Sequence, residues 1–187
     1  MNFGTVMSNY TMLNKRLGIL VNSQVMDNIT VEAPKGTDDE LSFIRLVSWA
    51  YVLIHESGKV PLDFLKQLPP LNDSGKVLSY VRALRTWTSH NLSLHKTSDI
   101  KTMKEAVTWF MRTCGVGSPA NQDQWGKCFS QLCDDLTSLL AGAVLACDNL
   151  EAAEDGERLV QELKSRIDRQ WERSEEHTSE LQSPNTI

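Results

Sequence analysis

Trp125-Gly-Lys-Cys-Phe-Ser-Gln-Leu-Cys-Asp-Asp-Leu-Thr-Ser-Leu-Leu-Ala-Gly-Ala-Val-Leu-Ala-Cys147 places apolar residues at Trp125, Phe129, Leu132, Leu136, Leu139, Leu140, Ala143, Val144 and Cys147. Steps of three and four residues trace one buried face of a long helix. Just upstream, Ser118-Pro119 reads as an N-cap followed by proline at the first helical position. Toward the N-terminus the same period recurs at Ile100, Met103, Val107, Phe110 and Met111, starting near Ser98 or Asp99 and stopping at Gly115. An earlier helix is expected from about Ser74 to Asn91, with Val77, Leu78, Val81 and Leu84 on its apolar side. Thr37-Asp-Asp-Glu40 has capping-box spacing. It opens a run from Leu41 to Ile54 that is apolar almost all round and ends at Gly58. Pro61 to Leu68 reads as a short helical turn before Pro69-Pro70. Beyond Gly156, Leu159, Val160, Leu163 and Ile167 mark another helix.

Residues 1–36 stay poorly defined, because Asn9, Asn14, Gly18 and Asn22 interrupt the apolar residues between Met7 and Met26. Ala33-Pro-Lys-Gly36 is a break. No period-two alternation persists, so the expected fold is all-α, an antiparallel helical bundle of four to five helices, with the bundle domain at 37–150. Residues 151–172 would begin a further helix leading to another domain. Trp49, Trp87, Trp109, Trp125 and Trp171 read as packing residues.

The chain has 187 residues, 41% apolar and 23% charged, the balance of an ordinary soluble globular domain. With 19 Lys and Arg against 24 Asp and Glu, its net charge of −5 argues against bulk phosphate binding, though not against a local basic site. No apolar run approaches membrane-spanning length, no secretory signal opens the chain, and no DNA-binding signal is present. Cys114, Cys128, Cys133 and Cys147 lack the paired close spacing of zinc-ribbon or redox sites. They read as reduced thiols in a cytoplasmic protein, with no metal and no cofactor expected.

The end of the chain carries its own signature. Arg173-Ser-Glu-Glu-His-Thr-Ser-Glu-Leu-Gln-Ser183 resembles the translation of a common sequencing-adapter oligonucleotide, and Pro184-Asn-Thr-Ile187 fits the bases that follow it. Residues 173–187 are therefore expected to be a non-native, adapter-derived tail. Without Arg173, Glu175, Glu176 and Glu180 the balance is 18 basic against 21 acidic residues, a net −3. The genuine sequence then stops near Glu172, inside a helical pattern, so the natural chain is expected to continue.

One stretch could carry chemistry: Tyr80-Val-Arg-Ala-Leu-Arg-Thr-Trp-Thr-Ser-His-Asn-Leu-Ser-Leu-His95. Histidine titrates near neutrality and can move a proton, while arginine grips a phosphate through two parallel hydrogen bonds. Arg85 lies one turn beyond Val81, at the flank of the apolar face. His55-Glu56 lacks the second histidine of a metalloprotease helix and reads as helix-end polarity. Asp134-Asp135 reads as a solvated face, and Gly115-Val-Gly117 as a helix C-cap and turn.

The Arg85-x-x-x-x-His90 spacing near the end of a bundle helix resembles the higher eukaryotes and prokaryotes nucleotide-binding (HEPN) superfamily of small helical domains. That resemblance implies a metal-independent endoribonuclease, dimeric, with two Arg/His motifs facing one cleft. Arg85 would bind the scissile phosphate and His90 would assist proton transfer as the ribose 2′-hydroxyl attacks. Arg82, Thr86, Asn91 and His95 would contact substrate. The position after the motif arginine is often Asn, Asp or His in the family; here it is Thr86. The expected partners are a second copy, single-stranded RNA, and an antitoxin or adjoining domain.

The residues leave another reading open. Positions five apart on a regular helix point about 140° from each other, so Arg85 and His90 converge only at a frayed end or across a dimer. Singly, His90 can serve the last helix carbonyls, and Arg82 and Arg85 a solvated edge. The chain would then be a non-enzymatic interaction or regulatory module of a larger protein.

Overall fold

The computed structural model describes residues 2–71, 75–89, 92–93 and 95–182, with side chains through Glu172. Among these residues the chain is all-helical, with no strand. Its helices are α1 (Phe3–Val21), α2 (Glu40–Val52), α3 (Lys59–Leu65), α4 (Gly75–Ser89), α5 (Thr97–Cys114), α6 (Gln122–Ala152) and α7 (Gly156–Gln182). A π-helical turn, Leu53–Ser57, extends α2. Among the described residues seven helices stand where the sequence predicts four to five, because α1 and the short α3 also form.

Local caps explain where the helices begin. Asn2 caps α1 by accepting from the Thr5 N–H at 3.1 Å. α2 starts from Asp39, whose carboxylate accepts from the Ser42 N–H at 2.8 Å and the Ser42 hydroxyl at 2.7 Å. Those two bonds hold the Asp39 carboxyl below its usual range. α6 begins at Asn121 rather than Ser118. The Asn121 side chain accepts from the Gln124 N–H at 3.0 Å, and the Gln124 side chain returns to the Ala120 N–H at 2.8 Å. This reciprocal pair, close to a capping box, fixes the start two residues after Pro119. Asn121→Ala is expected to cost about 1 kcal/mol of unfolding free energy, read as a lower urea midpoint with an unchanged slope.

The core forms where four helices meet. Phe43 of α2 lies 5.9 Å from Trp109, 5.9 Å from Phe110 and 5.4 Å from Trp125, centroid to centroid. Trp87 of α4 sets its edge against Phe110 at 4.8 Å. Trp49, Trp109 and Trp125 are buried, the packing role their helical spacing implies.

α1 buries Val6, Leu13, Leu17 and Val21 in one stripe. It lies alongside α6 and runs parallel to it: the Asn9 amide donates to the Thr137 carbonyl at 3.2 Å, and farther along Arg16 pairs with Asp148 and Glu151. α7 follows after a tight turn and packs against α6, α3 and α1. There a Cβ on Gly156 would stand 2.4 Å from the Leu150 carbonyl oxygen. Leu163 and Ile167 join the same core.

Candidate functional site

α4 presents its residues in two ways. Val81, Ala83 and Leu84 face the core, so Arg82 is left exposed and Arg85 half-buried at the flank. The Arg85 guanidinium sits 5.9 Å from the centre of the Tyr51 ring on α2. That distance is within cation–π range, and the contact holds the guanidinium beside α2. Among the described residues no carboxylate pairs with Arg85. The Thr86 hydroxyl donates to the Arg82 carbonyl at 3.0 Å, and the Thr88 hydroxyl to the Arg85 carbonyl at 3.1 Å. Thr86 thus keeps only lone pairs for an outside partner.

His90 and Asn91 lie outside the described residues. His95 is exposed beyond α4, and its backbone N–H donates to the Ser93 hydroxyl at 3.2 Å. Arg82, Arg85 and Thr86 therefore share one helix, while His95 belongs to the connection into α5.

His55 has a fuller environment than its sequence reading gives it. It lies in the π-helical turn, closed by Gly58, whose N–H donates to the Leu53 carbonyl at 2.8 Å. A Cβ on Gly58 would stand 2.5 Å from that carbonyl oxygen, so only glycine fits there without a shift. The turn sets the His55 ring 4.9 Å from the Tyr51 ring and its Nε2 3.1 Å from the Leu78 carbonyl oxygen on α4. A carbonyl only accepts, so Nε2 carries the hydrogen and Nδ1 of the neutral ring keeps its lone pair. Arg85, Tyr51 and His55 thus form a stack joining α2 to α4, with Arg82 nearby. Sequence spacing gives no signal of it, because the contacts lie across two helices.

Burial lowers the His55 pKa and the Arg82 charge lowers it further, against the opposing effect of the Leu78 hydrogen bond. The unfolded chain therefore binds more protons than the folded one below the ordinary histidine value. The contribution of neutral His55 is fully present above about pH 6.5 and is lost as pH falls through the depressed folded value. Urea midpoints measured between pH 7 and pH 5 should fall, and His55→Gln should flatten that part of the slope.

Charge is distributed unevenly along the chain. Residues 75–114, the α4–α5 hairpin, hold seven Lys and Arg against Asp99 and Glu105, a net +5; the rest of the chain carries −10. Lys76, Arg82, Lys96, Lys101, Lys104 and Arg112 are exposed. The acidic total conceals a basic hairpin, a pattern that raises local anion concentration.

Other polar clusters satisfy themselves. In the groove between the starts of α2 and α6, Gln122 donates to Asp38 at 2.8 Å and Lys127 pairs with Asp123 at 2.6 Å. Between α3 and α7, Arg166 pairs with Glu162 at 2.6 Å and covers the Phe64 ring at 5.2 Å. Cys128, Cys133 and Cys147 are buried on α6, and burial pushes the Cys133 and Cys147 thiols up to about 12. They act as small hydrophobes. Among the described residues no group of three or more His, Cys, Asp or Glu side chains is placed to hold a metal ion, and no helix is long and apolar enough to cross a membrane. Comparison with protein-family models, with curated proteins and with solved structures found no match to this chain.

Proposed function

We propose that the chain is a HEPN-like, RNA-directed domain of the cytoplasm. Its four-helix unit would be α2, α4, α5 and α6, and it would act as a metal-independent endoribonuclease through Arg85 and His90. The observation that carries this reading is the net +5 of the α4–α5 hairpin within an otherwise acidic chain, with Arg82 and Arg85 on its first helix. In the proposed step the ribose 2′-oxygen attacks phosphorus and passes its proton to His90. Arg85 offsets the charge growing on the phosphate oxygens, and the 5′-oxygen leaves as it takes a proton from a water molecule, giving a 2′,3′-cyclic phosphate and a 5′-hydroxyl. A homodimer would bring two such motifs to one cleft, and an antitoxin or adjoining domain would regulate it. Residues 173–187 we take as adapter-derived; the genomic reading frame past Glu172 tests that directly.

A second reading has its own support. Arg85 is half-buried against Tyr51, a packing role that requires no substrate. On that reading the chain is a non-enzymatic interaction module. Incubation with single-stranded RNA in excess chelator separates the two. Cyclic-phosphate products support the nuclease, binding without cleavage supports the module, and absence of both removes the RNA-directed reading.

A further inference from the structure

The basic hairpin contains a groove. Ser79, Arg82 and Ala83 of α4 face Ser98, Lys101, Thr102 and Glu105 of α5 across a cleft of about 290 Å³. Small-molecule pockets usually span roughly 300–1,000 Å³, so this cleft suits one charged group better than a whole nucleotide.

Its chemistry favours an anion. Arg82 and Lys101 come from different helices, are both exposed, and have no carboxylate partner among the described residues. Glu105, the one carboxylate of the groove, already accepts from the Ser79 hydroxyl. Thr102 adds a half-buried hydroxyl, and Ser98 another that donates to Asp99 at 3.1 Å. The groove opens at the first turn of α5. There Lys96 occupies the N-cap position and makes no side-chain cap, so the first N–H groups have no cap acceptor from it.

We propose that this groove binds a phosphate group, the phosphodiester of a single-stranded RNA held along α4 and α5. Arg82 would grip it through paired N–H bonds, Lys101 as a point charge, and Thr102 as a hydrogen-bond donor. The proposal rests on the RNA-directed reading for the source of the phosphate; the groove itself would equally accept a free phosphate monoester. It gives the strand a contact on α4 one turn before Arg85.

Fluorescence anisotropy with a labelled single-stranded RNA, titrated from 50 to 200 mM KCl, tests the groove. Lys101→Ala should weaken binding about tenfold at the low-salt end and reduce the log–log salt slope by about 0.7, the share of one phosphate contact on a single strand. Lys104→Ala removes an exposed charge from the same helix outside the groove and should change affinity clearly less. Equal effects of the two substitutions would overturn the groove in favour of diffuse attraction, as would an unchanged slope for Lys101→Ala. Circular dichroism of both variants establishes that each is folded. Should the wild type bind no RNA, the RNA-directed reading fails. Amide shifts of Ser98, Lys101 and Thr102 on titration with inorganic phosphate then decide the groove alone. Saturable shifts there support a phosphate-monoester site, and their absence overturns it.

Discussion

Phe43→Ala lowers the unfolding free energy by about 3–5 kcal/mol, the range for deleting a fully buried aromatic side chain. Phe43 has no solvent exposure and touches aromatic residues of two other helices: Trp109 and Phe110 on α5, and Trp125 on α6. Its loss withdraws apolar surface and leaves a void whose walls are themselves large, rigid rings. Trp109 and Phe110 are also packed edge to face at 5.5 Å, so neither collapses easily into the space. Phe43→Leu refills part of the volume and should lose about half as much. Urea unfolding followed by far-ultraviolet circular dichroism measures both. A loss below about 1 kcal/mol for the alanine variant would contradict the shared-core account.

On the proposed nuclease reading, His90→Ala is expected to lower the rate of RNA cleavage by about 10²–10⁴-fold, the usual contribution of a positioned general acid or base. His55 makes this measurement more discriminating. It is the described histidine beside Arg82 and in stack with Arg85 through Tyr51. If His90 carries the proton, His55→Gln leaves the chemical step within a few-fold of wild type while moving stability. The reverse order, with His90→Ala as active as wild type and His55→Gln inactive, would transfer the acid–base role to the π-helical turn and remove the Arg85/His90 motif reading. Arg85→Lys belongs in the same series. It keeps the positive charge but loses the planar fork, so a nuclease loses rate with this variant, whereas a packing role against Tyr51 tolerates it better.

The helices from α2 onward are legible in this sequence, and α1 is not. α6 buries residues at almost every step of three and four, and its period stands out on its own. α5 ends at Gly115, with φ 81°, where the glycine marks a left-handed cap. α1 escapes because Asn9, Asn14 and Gly18 interrupt its stripe of Val6, Leu13, Leu17 and Val21, and Asn9 uses its amide in the α6 interface. An asparagine that looks like an interruption is thus part of the packing.

Helix starts are less legible than helix interiors. Thr37 and Ser118 have the right chemistry for caps, yet Asp39 and Asn121 make the hydrogen bonds, since several capping residues compete within a few positions. The candidate site divides the same way. Arg82, Arg85 and Thr86 are legible as one helical stretch, whereas Tyr51 and His55 meet α4 through tertiary packing alone. The basic hairpin is visible in sequence once charge is summed locally over residues 75–114 instead of over the whole chain.

The parallel pairing of α1 with α6 sets an order on synthesis. Val6, Leu13, Leu17 and Val21 leave the ribosome well before the helix that covers them, which runs to Ala152. At about 5–20 residues per second, that apolar stripe waits on the order of ten seconds for its partner. Through that interval the α1 stripe has no α6 to cover it, so a segment translated early reaches its final place late.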